Sequence, residues 1–475
     1  MTYKISPILA GTAQAVITPP VGVPLLGTIQ RSIGAHDDLH ARALALSDGN
    51  QWFAIISLDL IGMDFELADR IRAAIAGAGI SNALVHCTHN HSAPFTIPWT
   101  ILGPRSLVVH GGGWRDQLVS DIKQLASAAR ASAEPAILSA GRAQVQIGFN
   151  RRLVTETGVL MKPNPEGAVV PWVDVLRVDQ GDGSTAAVLF SHAAHPVIIH
   201  GASRLMSAEF PGFAAEKLSR LLGGKAIAIF GQAFAGNING TPLRGGIAAA
   251  QRAGEILADA AFEAASNAEL VSGTEISLKS VRTELSLQPL PSMCECEEVL
   301  HGAERRLSDV WGARSIDDRS LWDAQDRLAP PGSQEDSSAA DDTQPMEGQP
   351  WWLADTVLCL RDLQQKIARR EDHPLRFEAH LLRVGDDWSL LAASHELFAE
   401  YQLLLDKTAP TRHKMMLAYT SGCESYIPKD QDLALGGYEA SSFPQDGAAL
   451  RYRHRRALRS GSEQQVIDTL RSLWC

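Results

Sequence analysis

The sequence predicts an α/β fold in which mixed, buried β-sheets are flanked by helices. The main observation is that, up to Leu285, short apolar runs alternate with segments whose apolar residues recur at helical spacing. The apolar runs are continuous rather than alternating, which is typical of strands buried on both faces. The length of 475 residues and the 45% content of hydrophobic residues are sufficient for a large core.

The first strand–helix–strand unit is predicted from residue 52 onward. Trp52–Leu60 is a continuous apolar run and predicts a strand. Asp64 to Ala76 has helical spacing, and Asp64 is a suitable N-cap. Gly77–Gly79 would end this helix before a second strand at Ala83–Cys87.

A second unit follows the same pattern. Strands are predicted at Ala186–Ser191 and Ala226–Phe230, with a helix between them at Ala214–Leu222. A further helix is predicted from Ile247 to Ala265. These elements extend the α/β pattern through the N-terminal half of the chain.

After Leu285 the pattern becomes helical, and residues 286–370 are interpreted as a helical insertion. Within it, residues 330–350 are acidic and almost lack large apolar side chains, which predicts a mobile loop. The remaining predicted elements are helices at Cys294–Trp311, Ser320–Leu328 and Trp352–Arg370, and strands at Leu375–Val384 and Trp388–Ala393.

Composition excludes several classes of protein. The 43 Lys+Arg against 54 Asp+Glu give a net charge of −11, which argues against a nucleic-acid-binding protein. Six cysteines are too few for a disulfide scaffold. No signal-peptide core and no transmembrane run is apparent, so we expect a cytoplasmic enzyme with reduced thiols. The charge is compatible with a monomer or an oligomer.

Three apolar runs end in histidine or glutamate, and strand ends are where α/β proteins build their sites. His89 and His91 follow the first run, His195 follows the second, and Glu396 follows the third. Two imidazoles and a carboxylate are a known catalytic zinc set with an open position. The alternative is that the histidines are hydrogen-bonded structural residues and Glu396 a cap or salt-bridge partner.

A series of short segments carries a resemblance over nearly the whole chain. They are Ala10–Pro20, Gly22, Gly27, Ala35–Leu44, Ser57–Asp59, His89–Pro94, Asn150–Arg152, Val173–Val178, Ala194–Pro196, Ser207–Gly212, His395–Glu396 and Ser425–Pro428. In this order the sequence resembles the N-terminal catalytic domain of the neutral/alkaline ceramidase family. No single segment is specific, but their order and coverage are.

The resemblance implies a zinc site. The family's first motif histidine matches His89, its histidine before proline matches His195, and its strand-end glutamate matches Glu396. The ligand tyrosine matches Tyr426, with Tyr419 as the alternative because Cys423 and Glu424 disturb the local match.

The resemblance also implies substrate contacts. The second motif histidine matches His91, and an arginine that contacts substrate near the scissile carbonyl matches Arg151, with Arg152 as the alternative. Positive charge there would stabilise a developing oxyanion. Without the resemblance, an ordinary surface or salt-bridge role is an equally good interpretation of either arginine.

One departure from the family affects the mechanism. Family members have a serine where this chain has Asn239, and an aspartate where it has Asn237. Asparagine is a poor nucleophile, so we expect attack by a zinc-activated water, with Asn239 hydrogen-bonded to substrate. Alternatively, both asparagines only shape a turn between Gly236 and Gly240.

A second departure concerns the substrate. We expect one catalytic domain spanning 1–475, without the leader and the C-terminal β-sandwich of secreted ceramidases. A lipid substrate would need an apolar pocket, and aromatic residues beside Gly-rich or polar segments could line it, although core or lid packing is the more common use of such residues. The candidates are Trp99, Trp114, Trp351 and Trp352.

The sequence therefore predicts a zinc-dependent hydrolase of the ceramidase-like superfamily. The expected bond is a C–N amide in a soluble or modestly amphiphilic small molecule. The alternatives are a true ceramidase or N-acyl lipid amidase, an enzyme for esters, lactones or carbohydrates on the same metal site, and a metal-stabilised binding protein without turnover.

Overall fold

The computed structural model describes residues 8–25, 31–94, 96–97, 112–312 and 350–475. Three predicted features lie outside these ranges: the helix at 320–328, residues 330–349 of the loop, and Trp99.

Strands and helices alternate along the described chain. The strands are β1 Ile8–Val16, β2 Gly34–Ala35, β3 His40–Ser47, β4 Trp52–Leu58, β5 Asn82–Cys87, β6 Glu134–Gln144, β7 Gly148–Asn150, β8 Arg152–Thr155, β9 Gly158–Met161, β10 Trp172–Gln180, β11 Thr185–His192, β12 Leu205–Met206, β13 Ile227–Gln232, β14 Ile238–Gly240, β15 Glu269–Leu270, β16 Ile276–Leu285, β17 Leu375–Val384, β18 Trp388–Ala393, β19 Glu396–Leu397, β20 His413–Leu417 and β21 Tyr426–Ile427. The helices are α1 Phe65–Ala76, α2 Gly112–Ala131, α3 Glu209–Leu221, α4 Ile247–Ser266, α5 Met293–Trp311, α6 Pro350–Arg369, α7 Ala399–Thr408, α8 Asp430–Leu435, α9 Ala448–Arg451 and α10 Ser462–Ser472.

The larger sheet has the strand order β13-β11-β10-β6-β1-β3-β4-β5, with β15 paired to β6. Its two ends contain the parallel pairs β4–β5 and β11–β13, and the strands between them are antiparallel. The two ends approach each other: Ser57 Oγ donates to the Phe230 carbonyl at 2.7 Å, and the Gln232 amide donates to His86 Nε2 at 2.8 Å. The carboxyl ends of β5 and β13 are thereby brought together.

The smaller sheet, β16-β17-β18-β20, packs against the larger one. Trp388 and Leu390 of β18 share a buried cluster with Leu189 and Ile229 of the larger sheet. Helices α1 to α4 cover the opposite face of the larger sheet, and α10 packs on the outer face of the smaller one. Strands β4, β5, β11, β13 and β18 are therefore buried on both faces, which explains their continuous apolar runs.

The predicted fold class is confirmed, and the predicted elements within the described ranges are present. Asp64 caps α1 and accepts a hydrogen bond from the Leu67 amide at 2.7 Å. The helix predicted from Ala214 begins earlier, at Glu209, because Pro211 lies in its first turn, where proline needs no intrahelical partner. The sequence did not locate β1, β3, β6 and β10, which form the middle of the large sheet.

Helices α5 and α6 lie on either side of the undescribed residues 313–349 and pack against each other through a shared apolar cluster. α5 begins with a capping box formed by Ser292 and Glu295. Among the described residues, no helix combines the length and apolarity needed to cross a membrane.

Candidate metal centre

Three histidines converge at the carboxyl ends of the parallel strands. His89 and His91 follow β5, and His195 follows β11. One ring nitrogen from each lies within 4.8 Å of the other two, an arrangement that can hold a metal ion. The structure thus brings together three residues that are distant in sequence.

A carboxylate completes this cluster. Glu396 opens β19, just beyond the end of β18, and only 1% of the residue is exposed. Its Oε2 lies 3.2 Å from His89 Nε2 and 3.1 Å from His195 Nε2. The set predicted at three strand ends therefore meets at one point.

The tautomers of two histidines follow from their backbone partners. His89 Nδ1 lies 2.7 Å from the Ile61 carbonyl, and His195 Nδ1 lies 2.7 Å from the Ala235 carbonyl. A carbonyl can only accept, so both Nδ1 atoms must carry the proton. In the neutral rings, the Nε2 lone pairs then face the carboxylate of Glu396.

Positive charge, from a proton on a ring or from a bound cation, resolves this grouping of acceptors. Burial lowers the pKa of His195 to about 4, so its ring is neutral near pH 7. Burial raises the pKa of Glu396, but attraction to His89 and hydrogen bonds from the two rings, which act when a ring carries positive charge, outweigh it and hold the pKa well below its usual range. Two lone pairs and an anion are best satisfied by a cation, and N/O donors of this kind suit zinc. The residues therefore fit a metal ion.

Backbone hydrogen bonds hold the loop that contains the first two histidines. The amide of Thr88 donates to Leu58 and that of Asn90 to Leu60, so the loop continues alongside the end of β4. The Asn90 side chain donates to the Ser207 carbonyl at 2.5 Å. His89 has a φ of 61°, a conformation that costs energy for a non-glycine residue and is common at functional sites.

Two tyrosines correspond to the two predicted choices for the fourth ligand. Tyr426 pairs with Glu396 in the parallel β19–β21 ladder, and its hydroxyl accepts a hydrogen bond from Arg151 at 3.1 Å. Tyr419 stacks on His89 with ring centroids 4.1 Å apart, and its hydroxyl donates to Glu396 Oε2 at 3.4 Å. Both phenols are buried beside the cluster, and the choice between them stays a prediction.

Arg151 and Asn239 form a buried pair next to these tyrosines. Arg151 Nη1 donates to Asn239 Oδ1 at 2.8 Å, and its other hydrogen bonds go to Glu439, to Tyr426 and to the Gly236 carbonyl. Because Asn239 Oδ1 accepts from Arg151, the amide NH2 is free to serve as a donor. Asn239 lies in β14 and bridges to His195, so it does not lie in a simple turn.

Arg152 and Asn237 have other contacts. Arg152 donates to Glu439 at 2.6 Å and to Asp432 at 3.2 Å. The Asn237 side chain accepts from the first amide of α7 and donates to Glu400 at 2.9 Å. Through these contacts, Arg152 stabilises the loop around Glu439 and Asp432, and Asn237 stabilises the start of α7.

The predicted aromatic residues have different positions. Trp114 lies on α2 and packs partly buried against the cluster beneath the larger sheet. Trp352 is buried, and its Nε1 donates to Asp446 at 2.8 Å. Trp99 lies outside the described residues. The contacts of Trp114 and Trp352 are those of packing residues.

Several residues at the centre were not predicted from sequence. His200 Nδ1 lies 3.2 Å from His91 Nδ1, and Tyr452 donates a hydrogen bond to Glu396 Oε1. Glu439 joins the two arginines. The sequence indicates His200 only through its position five residues after His195. Tyr452 and Glu439 follow no predicted strand, so the sequence pattern does not indicate them.

Comparison with known proteins gives matches in structure only. No family model matches the sequence, and no match is found among curated proteins. The neutral ceramidase from Pseudomonas aeruginosa aligns with a TM-score of 0.65 and 19% identity over 98% of this chain and 74% of its own. A ceramidase complexed with C2 aligns with a TM-score of 0.67 and 18% identity over 98% and 75%. The resemblance to neutral ceramidases is therefore confirmed for the fold: this chain has the architecture of those enzymes over nearly its whole length.

Proposed function

We propose that this chain is a zinc-dependent hydrolase that cleaves the C–N amide bond of N-acyl compounds. The observation that carries the proposal is the convergence of three acceptor atoms. Glu396 Oε2 lies 3.2 Å from His89 Nε2 and 3.1 Å from His195 Nε2, and a cation bound between them would satisfy all three. The ceramidase fold supports amide hydrolysis, since the two structural neighbours are named as ceramidases.

His89, His195 and Glu396 would hold the zinc ion, with Tyr426 as the proposed fourth ligand and Tyr419 as the alternative. Zinc bound there would polarise the amide carbonyl and lower the pKa of water into the neutral range. The side chains around it then have to stabilise the oxyanion and transfer protons.

Asn239 is proposed to stabilise the oxyanion. Its Oδ1 accepts from Arg151 at 2.8 Å, which leaves its NH2 group to donate to the substrate oxygen. The amide cannot form an acyl-enzyme, so water attacks the carbonyl directly. Arg151 would act on the substrate through Asn239 and Tyr426, since most of its N–H groups already have partners.

His91 is proposed as the group that moves the proton. Burial lowers its pKa well below the usual value, so the resting ring is neutral and would accept a proton only from a water made more acidic by a bound zinc ion. Its Nε2 faces His89 at 3.3 Å and its Nδ1 faces His200 at 3.2 Å. A proton taken from the attacking water could thus be returned to the leaving amine.

A substrate panel tests the proposal. The zinc-loaded protein would be assayed on N-acyl amines of increasing acyl length, on ceramide, and on esters and lactones with the same acyl groups. Release of carboxylate and amine from the amides, and its loss in His195→Ala, is the expected result. Preference for ceramide would identify a lipid amidase.

Two other outcomes would overturn the proposal. Cleavage of esters, lactones or glycosides without amide cleavage would assign a different reaction to the same site. Zinc binding without turnover on any of these compounds would indicate a binding protein. In either case the fold would be retained while the proposed chemistry would not.

A further inference from the structure

The carboxylate of Glu396 has a second buried partner. Its Oε2 faces the histidines, whereas its Oε1 accepts a hydrogen bond from the hydroxyl of Tyr452, a residue only 3% exposed. Tyr452 also packs edge-on against Tyr426, with ring centroids 6.0 Å apart. Because one oxygen is held by a phenol, the other is fixed in direction toward the histidines.

Tyr452 lies directly after α9, a helix of only four residues. So short a helix has little stability of its own. Arg451, at its end, is fully buried: its guanidinium lies 3.7 Å above the Trp352 ring, Nε is 3.1 Å from Asp355, and Nη2 donates to Thr356 at 2.7 Å. All three partners lie on α6.

A second arginine attaches the same turn to α6. Arg455 Nη1 donates to the carbonyls of Leu450, Arg451 and Tyr452 at 3.0, 2.7 and 3.2 Å. Its Nε donates to Asp362 of α6 at 2.8 Å. The last carbonyls of α9 are therefore satisfied from a side chain that is itself anchored on the helical insertion.

Helix α6 is in turn held by α5. The two helices share a buried cluster that includes Leu300, Leu307, Val357 and Leu360, and Leu450 of α9 belongs to it. A continuous set of packed contacts thus joins the insertion to α9 and, through Tyr452, to Glu396.

We propose that Tyr452 is a positioning residue for the metal-binding carboxylate, and that the α5–α6 pair holds it in place. The inference rests on the proposed function, because it assumes that Glu396 is a metal ligand. Partners of metal ligands orient them, and their removal commonly weakens metal binding 10- to 100-fold. The insertion is then part of the metal centre's support.

Zinc affinity, measured by competition with a chromophoric chelator, tests the role of the hydroxyl. Tyr452→Phe should weaken zinc binding about 10- to 100-fold. The matched control is Tyr401→Phe, which removes a buried hydroxyl that donates to the Pro428 carbonyl at 3.0 Å rather than to Glu396. The control should bind zinc as tightly as the wild type.

The role of the insertion is tested with a second pair of variants. Arg455→Lys removes the fork that joins α9 to Asp362 and should also weaken zinc binding. Arg456→Lys is the control, since Arg456 is equally buried but donates to the Gln288 and His373 carbonyls. Equal zinc affinities in the two lysine variants would contradict the claim that α6 holds Tyr452 in place through Arg455.

The metal-free protein gives a readout that is independent of zinc. In chelator, Tyr452→Phe should lower the urea midpoint in the wild-type background but have little effect in Glu396→Ala, because the shared contact is already lost. The positioning role of Tyr452 is contradicted if Tyr452→Phe lowers the urea midpoint equally in the wild type and in Glu396→Ala. It is also contradicted if Tyr452→Phe and Tyr401→Phe bind zinc equally well. Neither result would contradict the proposed function. A wild-type protein that binds no zinc overturns the proposed function instead.

Discussion

His195 and Glu396 meet through Nε2 and Oε2, two atoms that are both acceptors when the imidazole is neutral and the carboxyl is ionised. The Nδ1 proton of His195 is donated to the backbone, so its Nε2 lone pair faces the Glu396 carboxylate at 3.1 Å. His89 presents its Nε2 to the same oxygen in the same way. A proton on one of the rings or a bound cation would relieve the repulsion between these groups.

Glu396→Gln should therefore stabilise the metal-free protein while weakening zinc binding. The amide oxygen can accept from Tyr452, and the NH2 group can donate to the histidine Nε2 atoms. We expect a gain of about 1 kcal/mol in the free energy of unfolding, measured in urea with chelator present.

The same substitution at another buried carboxylate is the control. Glu378 pairs with Arg72 at 3.0 Å and also with Arg376. Glu378→Gln should destabilise the metal-free protein, because its partners are donors with positive charge. Destabilisation by both substitutions would contradict the acceptor–acceptor contact at Glu396.

Asn239→Ala should slow turnover without loss of zinc. Loss of an oxyanion donor commonly lowers kcat about 100- to 1,000-fold, with a smaller effect on KM. Asn237→Ala is the matched control and should instead cost about 1 kcal/mol of stability, since Asn237 accepts from the first amide of α7.

The time course of the wild-type reaction tests the same residue. Because an asparagine forms no acyl-enzyme, stopped-flow measurement with a chromogenic amide should show no burst of amine release. A burst that is lost in Asn239→Ala would show that a covalent intermediate forms and that our mechanism is wrong.

Glu209 should make the stability of the metal-free protein depend on pH. Burial raises the pKa of its carboxyl from 4.5 to about 7, although the amides of Phe210 and Ile199 oppose the shift. The folded state thus holds a proton that the unfolded state has lost, so stability falls as pH rises from 4.5 to 7. At about 1.4 kcal/mol per pKa unit, the decrease is about 3 kcal/mol.

Glu209→Gln should remove this dependence. Compared with the wild type, its free energy of unfolding should decline less between these two pH values, as measured by urea titration in chelator. Glu216→Gln, an exposed change on the same helix, serves as the control. Parallel pH profiles for wild type and Glu209→Gln would contradict the raised pKa.

The sequence predicted the strands that supply the centre because each is a continuous apolar run ending in a polar residue. The prediction of β5, β11 and β18 led directly to His89, His195 and Glu396. Antiparallel strands in the middle of the larger sheet, such as β6 and β10, were not located, because small and polar residues interrupt their apolar pattern.

Residues that reach the centre from irregular segments could not be predicted. Tyr452 follows a four-residue helix in a strongly basic stretch, and only its contact with Glu396 shows its relevance. Arg152 was predicted as the alternative to its neighbour Arg151, and Asn237 as the match to a family aspartate; the structure pairs Arg152 with Glu439 and Asn237 with Glu400. Proximity in sequence does not determine which side chain faces a site.

The metal content of the purified protein tests the central claim most directly. We would measure it by elemental analysis of the wild type and His195→Ala side by side, with Tyr401→Phe as a control variant. About one zinc per chain in the wild type and the control, and none in His195→Ala, is the predicted result. No metal in any of them, or equal zinc in all three, would contradict a metal centre at His89, His195 and Glu396.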